Sequence, residues 1–145
     1  MAIRHASARW EGGLKSGNGT MKLASGAFEG AYSFSTRFEE QPGTNPEELI
    51  AAAHAGCFSM AFSGGLERNE FPATSIETTA KVHLTPAATG GFEISKIELD
   101  VVAVVPNISE EKFQELAQAA KNGCPVSKLY NGGTAEIVLN ATLQA

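Results

Sequence analysis

Gly43 to Gly65 reads GTNPEELIAAAHAGCFSMAFSGG, and this stretch decides how the rest of the chain is organised. Asn45 suits an N-cap, because its side-chain oxygen can accept from a first-turn N–H, and Pro46 suits the first helical position, where no helical bond is lost. Glu48 then falls at N3 and completes a capping-box arrangement, while Glu47 and Glu48 together complement the helix dipole. The helix is expected to run to about Ser63 and to close at Gly64-Gly65. Its Ala51-Ala52-Ala53 centre carries little bulk, which permits another backbone to approach closely. Leu49 to Leu66 runs for 18 residues without a formal charge, near the length of a bilayer span. Five Ala, three Gly, two Ser and His54 leave that stretch too little apolar surface, and Glu47, Glu48 and Glu67 flank it against Arg68 alone. The stretch reads as a buried helix of a globular protein, with no membrane partner.

Working outward, the residues before Gly43 read as short strands broken by glycine. Ala6 to Trp10 ends at Glu11-Gly12-Gly13, Thr20 to Ala24 follows a Ser16-Gly17-Asn18-Gly19 turn, and Ala27 to Phe38 follows Ser25-Gly26. In the third strand Tyr32, Phe34, Thr36 and Phe38 alternate with Ala31, Ser33, Ser35 and Arg37, which puts Arg37 on the face opposite the aromatic rings. After the helix comes a long hairpin. Ile76, Thr78, Ala80, Val82 and Leu84 alternate with polar residues, and a second alternation from Phe92 to Val105 slips phase at Ser95-Lys96, the mark of a bulge. Ser109 with Glu110 and Glu111 starts a second helix with Phe113, Leu116, Ala117 and Ala120 on one face, ended by Gly123. Cys124-Pro125 repeats the cap-then-proline pattern for a short helical turn, and Ala135 to Leu143 marks a last strand after Asn131-Gly132-Gly133. The order is βββ-α-ββ-α-β, an α+β fold. At 145 residues the chain is expected to form a single domain, 1–145.

Composition narrows the function classes. Hydrophobic residues at 43% and charged residues at 19% are ordinary for a globular chain that needs neither metals nor disulfides to fold. Sixteen acidic against 11 scattered basic side chains give a formal charge of −5, so nucleic acid is a poor partner. Met1 to Trp10 lacks the apolar core of a signal peptide, and two cysteines are too few for a secreted disulfide scaffold. A reducing, cytoplasmic compartment is expected.

Those cysteines, Cys57 and Cys124, stand 67 positions apart, which excludes a CxxC redox or zinc motif. Cys57 lies within the first helix, where a cysteine is either a small core hydrophobe or a nucleophile whose activating cation comes from elsewhere in the fold. Cys124 lies near a cap, where backbone N–H groups favour a thiolate. Together they fit an attacking and a resolving thiol. His54 precedes Cys57 by three residues and shares its helix face, so a Cys–His hydrolase is a further reading. No orienting acid accompanies it, since Asp100 is the only aspartate. No metal or other cofactor is implied. Arg37 is either a surface arginine or the holder of a buried anion.

The Gly43 to Ala61 stretch, with Cys57-Phe58-Ser59-Met60, and the later Cys124-Pro125-Val126-Ser127-Lys128-Leu129 resemble the OsmC/Ohr family, the osmotically inducible and organic hydroperoxide resistance proteins. The wording at both cysteines is similar to the OsmC branch. The resemblance implies an interwoven homodimer with a buried central helix. It also implies a thiol-dependent peroxidase reducing organic hydroperoxides, and more weakly hydrogen peroxide, in oxidative and osmotic stress defence. By position, Cys57 matches the peroxidatic cysteine and Cys124 the resolving one, so a Cys57–Cys124 disulfide is implied. Arg37 matches the family's arginine and Glu47 the glutamate that pairs with it. The implied reductant is a dithiol, dihydrolipoamide or a lipoylated protein. Phe58, Met60 and Phe62 are candidates for an apolar substrate wall. The alternative is a non-catalytic dimeric binding module with structural cysteines.

One length bears on assembly. Glu47 and Cys57 are ten residues apart on one expected helix, about 15 Å of rise. An arginine held by Glu47 is then expected to serve Cys57 of a second chain, across two helices crossing near Ala52.

Overall fold

The computed structural model describes residues 1–145, which divide into two compact units, residues 1–49 and 50–145. In the first unit β1 (Ala6–Glu11), β2 (Asn18–Leu23) and β3 (Glu29–Tyr32) form an antiparallel sheet in the order β1-β2-β3. The third strand is shorter than its alternation predicts. Residues Phe34–Phe38 form a helical turn, α1, and not a strand end. Two facts explain the difference. Residues at i and i+4 share a face in both a strand and a helix, so the Phe34/Phe38 spacing does not separate the two periods. The tie is broken locally by Ser33 and Thr36. The Thr36 N–H donates to Ser33 Oγ at 3.3 Å and the Ser33 N–H donates to Thr36 Oγ1 at 2.8 Å, a reciprocal cap that closes the turn. The Phe34 and Phe38 rings then stack along the turn with centroids 4.9 Å apart.

Helix α2 (Pro46–Arg68) starts where the sequence places it but runs past Gly64-Gly65 to Arg68. Neither glycine adopts the left-handed conformation that ends a helix. Leu66, fully buried, anchors the last turn, and this burial outweighs the cost of about 1 kcal/mol per helical glycine. The chain leaves through Glu70 at φ 68°.

In the second unit β4 (Ser75–Pro86) and β5 (Phe92–Val104) pair antiparallel, and β6 (Glu136–Gln144) lies parallel to β5 on its other side. His83 pairs with Lys96 and Leu84 with Ile94, leaving Ser95 unpaired, so the expected bulge is present. Helix α3 (Glu110–Gly123) and the short α4 (Pro125–Tyr130) connect β5 to β6. Ile97, Leu99, Val101 and Ala103 of β5 meet Phe58, Phe62 and Leu66 of α2 and Phe113, Leu116, Ala117 and Ala120 of α3 in one hydrophobic core.

The sequence reading expects a buried helix, but α2 is buried on one face only. His54, Phe58, Phe62 and Leu66, spaced four apart, are buried on one face, while Ala52, Ala53, Gly56, Met60 and Ser63 are exposed. The apolar stripe at i, i+4, i+8 covers one side of a helix and no more. A Cβ added at Gly56 would meet nothing.

Candidate active site

The functional side chains fall into two clusters, one in each unit. The first is built on α1 and the start of α2. From α1, Arg37 Nη2 donates to Glu47 Oε1 at 2.7 Å, and Nε donates to Oε1 and Oε2 at 3.2 and 3.3 Å. This is a bidentate pair, which fixes the guanidinium plane. The Glu47 side chain is 10% exposed and that of Arg37 is 37%, so a nearly buried carboxylate is matched by a cation with solvent access. The three bonds use Nε and Nη2, and Nη1 is left for another anion. The arrangement is held from both ends by Asn45. Its Nδ2 donates to the Thr36 carbonyl at 3.1 Å, and its Oδ1 accepts the Glu48 N–H at 2.8 Å, the N-cap bond expected from the sequence. Gly43, at φ 152°, lets the loop pass against Thr36, whose Cγ2 would stand only 2.7 Å from a Cβ there.

The second cluster gathers Cys57 from α2 and Cys124 from the α3–α4 junction. Both are free thiols; Cys124 is fully buried and Cys57 partly so. They are brought close enough for the Cys124 thiol to act on the ionisation of Cys57, as the Val126 backbone N–H also does. Burial pushes the Cys57 thiol above its ordinary pKa, the Val126 N–H pulls it down, and Cys124 pushes it up again. No cation is among the groups that act on it. Cys124 caps α4 as the cap-then-proline pattern predicts, its Sγ accepting the Ser127 N–H at 3.3 Å.

His54 is fully buried beside this pair, and its partner is not Cys57. Its Nε2 stands 2.7 Å from Ser127 Oγ, which in turn accepts from Cys124 Sγ at 3.2 Å. The Tyr130 ring meets the imidazole edge-on at 5.8 Å. His54 Nδ1 has no hydrogen-bond partner, a condition that costs about 1–3 kcal/mol for a buried polar group. Burial holds its pKa below the usual histidine value. The dyad of His54 with Cys57 that a hydrolase needs is not formed.

A family model described as OsmC-like protein matches residues 38–138. The chain belongs to the OsmC-like protein family. Its relatives include the Peroxiredoxin OsmC of Escherichia coli, 47% identical over 143 residues, covering 98% of this chain and 97% of the relative. Among solved structures, an organic hydroperoxide resistance protein from Elizabethkingia anophelis superposes with a TM-score of 0.77 at 26% identity, covering 99% of each chain. The OhrB protein of Bacillus subtilis gives a TM-score of 0.72 at 27% identity, over 95% of this chain and 98% of that one.

Within this OsmC-like fold the apolar candidates separate. Phe58 and Phe62 are fully buried, in ring contact with each other at 5.7 Å, whereas Met60 is 79% exposed on the opposite face of α2. The two phenylalanines therefore stand in the hydrophobic core. The reason is the helical period: Phe58 and Phe62 continue the buried stripe of His54, and Met60 stands two residues off it. Ser127 and the Val126 N–H carry no role in the sequence reading. The signal for Ser127 was its place three residues after a capping cysteine, where the N–H returns to the cap side chain.

Proposed function

We propose that this OsmC-like protein is a cysteine-based peroxidase that reduces organic hydroperoxides in oxidative and osmotic stress defence. The observation that carries the reading is the pair of free thiols, Cys57 and Cys124, close enough for one to act on the ionisation of the other, with Cys124 capping a helical turn. In this reading the Cys57 thiolate attacks the terminal peroxide oxygen. The O–O bond breaks, the alkoxide takes a proton and leaves as the alcohol, and Cys57 is left as a sulfenic acid. Cys124 Sγ then attacks Cys57 Sγ, water leaves, and the disulfide is returned to two thiols by an external dithiol, which is itself oxidised to a disulfide. Names carried by relatives, a peroxiredoxin and organic hydroperoxide resistance proteins, support the same chemistry.

A partly buried thiol with a raised pKa, such as Cys57, is a poor nucleophile at neutral pH, so the reading requires a cation. Arg37, fixed by Glu47 with Nη1 to spare, is the residue proposed to supply it. Ten residues of helix separate Glu47 from Cys57, so the arginine is assigned to the Cys57 of a second chain, in a homodimer with two composite sites. The exposed small-residue face of α2, Ala52, Ala53 and Gly56, supports a close helix crossing there. Met60 on the same face is the apolar residue positioned to meet an alkyl chain. The family model spans the boundary between the two units, which supports residues 1–145 acting as one domain. The reductant is assigned to the dihydrolipoamide or lipoylated-protein class, and the compartment to the cytoplasm, where unpaired thiols stay reduced.

The test is thiol counting after one equivalent of cumene hydroperoxide. The expected result is loss of both thiols as one intrachain disulfide, abolished by Cys57→Ser. Retention of both thiols would overturn the peroxidase and favour a non-catalytic binding module.

A further inference from the structure

The mechanism above leaves one buried titratable group unused. His54 lies fully inside the protein, yet its ring nitrogens are poorly served: Nε2 has only Ser127 Oγ as a hydrogen-bond partner, and Nδ1 has none. A residue kept for packing alone would do better as an apolar ring of the same shape. The hydrogen bonds form a continuous line. Cys124 Sγ donates to Ser127 Oγ at 3.2 Å, so the serine's own proton is free to point to His54 Nε2, 2.7 Å away. That assignment places the imidazole proton on Nδ1 and leaves the Nε2 lone pair as acceptor.

Resting on the peroxidase reading, we infer that Ser127 and His54 form a proton relay for Cys124, with Ser127 catalytic and His54 a positioning residue that acts through it. When Cys124 Sγ forms its bond to Cys57 Sγ and the Cys57 S–O bond breaks, the Cys124 proton passes to Ser127 Oγ. The Ser127 proton moves to His54 Nε2, and hydroxide leaves Cys57 and is protonated by solvent. The imidazolium then releases its extra proton through Ser127 to solvent in the adjoining cleft, replacing the one that hydroxide took, so the sum is one disulfide and one water. Reduction runs the relay in reverse, protonating the Cys124 thiolate as an incoming thiol displaces it. The exit is present, because Ser127 also lines a cleft of about 340 Å³ with Lys121, Asn122 and Asn131. The titratable groups facing the relay are Cys57 on α2, Tyr130 on α4, Lys121 on α3 and Glu136 on β6, and none of them contributes to the lowered pKa of His54, which burial alone produces. A histidine held neutral in this way is ready to accept a proton at neutral pH.

The experiment separates the two halves of the cycle. Reduced protein is mixed with tert-butyl hydroperoxide, and sulfenic acid formation and disulfide formation are followed separately near pH 7 and near pH 9.5, above the ordinary thiol range. Ser127→Ala and His54→Phe are expected to slow disulfide formation at least about tenfold near pH 7, the lower reach of general acid–base effects. Both should return to the wild-type rate near pH 9.5, where hydroxide from solvent can take up the proton without the relay, and Ser127→Thr should retain the neutral-pH rate. Disulfide formation at the wild-type rate in Ser127→Ala near pH 7 would overturn the relay, as would a deficit equally large at both pH values, which marks a merely structural effect. Ser127→Ala removes one atom and carries the test should His54→Phe not fold. A second arm uses diamide, which joins the two thiols without any hydroperoxide. If hydroperoxide fails to react but the diamide arm shows the same variant and pH pattern, the peroxidase reading falls and the relay stands.

Discussion

Phe62 is the residue at which the core reading and the substrate-wall reading part most sharply. Its side chain is fully buried and lies between two other rings, Phe58 at 5.7 Å and Phe113 at 5.4 Å. Truncating a buried phenylalanine to alanine costs about 3–5 kcal/mol through lost transfer energy and a residual cavity. Two aromatic contacts, each contributing about 0.5–1.5 kcal/mol beyond burial, place Phe62→Ala in the upper part of that range. A loss of about 4 kcal/mol takes a large share of the 5–15 kcal/mol typical of a domain, and at an m-value of about 2 kcal/mol/M it lowers the urea midpoint by about 2 M. Met60, 79% exposed, makes the control: Met60→Ala should shift stability by no more than about 0.5 kcal/mol. The assay is urea unfolding followed by circular dichroism at one fixed protein concentration, since self-association adds a concentration-dependent contribution. Kinetics with the milder Phe62→Leu, which stays folded, should leave the KM for alkyl hydroperoxides unchanged, whereas Met60→Ala should raise it. A Phe62→Ala protein that loses under about 1 kcal/mol, paired with a raised KM in Phe62→Leu, would show that the ring faces substrate and that the core assignment is wrong.

Three further outcomes are expected. Arg37→Ala should raise the Cys57 pKa further and slow peroxide attack about tenfold or more, one pKa unit being about 1.4 kcal/mol; Arg37→Lys, which keeps the charge but not the bidentate geometry, should fall between. Ultraviolet titration of the thiolate in a Cys124→Ser background measures this, and an unchanged curve and rate would make Arg37 a bystander. Refolding a mixture of inactive Arg37→Ala and inactive Cys57→Ser proteins should restore activity, because one site of each heterodimer regains Arg37, Glu47, Cys57 and Cys124; heterodimers that stay inactive would place each site within a single chain. For His54, burial lowers the folded-state pKa, so the unfolded chain takes up the proton first as pH falls. Stability is therefore full above the ordinary histidine value of about 6.5 and declines below it, and His54→Phe should flatten that decline in urea midpoints measured against pH. A slope unaltered by the substitution would show that His54 is not the titrating group.

What the sequence by itself determined was mostly local. The start of α2 was legible because Asn45, Pro46 and Glu48 act through bonds within one turn, and the bulge was legible because a phase slip at Ser95 has only one geometric meaning. The capping place of Cys124 was legible for the same reason. Local reading failed where two periods coincide, at Phe34 and Phe38, and where a distant core residue overrides a local stop signal, as Leu66 does beyond Gly64-Gly65. It also could not say which apolar residues of α2 are covered, because a helix shows its buried face only when the sheet and α3 are in place; that put Phe58 and Phe62 inside the core and Met60 outside it. Apart from the Arg37–Glu47 and Cys57–Cys124 pairs implied by the family resemblance, only the tertiary structure joined residues far apart in the chain. Arg37 meets Glu47 because α1 turns the guanidinium toward the first turn of α2, and His54 meets Ser127, 73 residues away, because α4 folds back over α2. Hydrogen bonds of that kind depend on ångström distances between separate elements, and no spacing within the sequence encodes them.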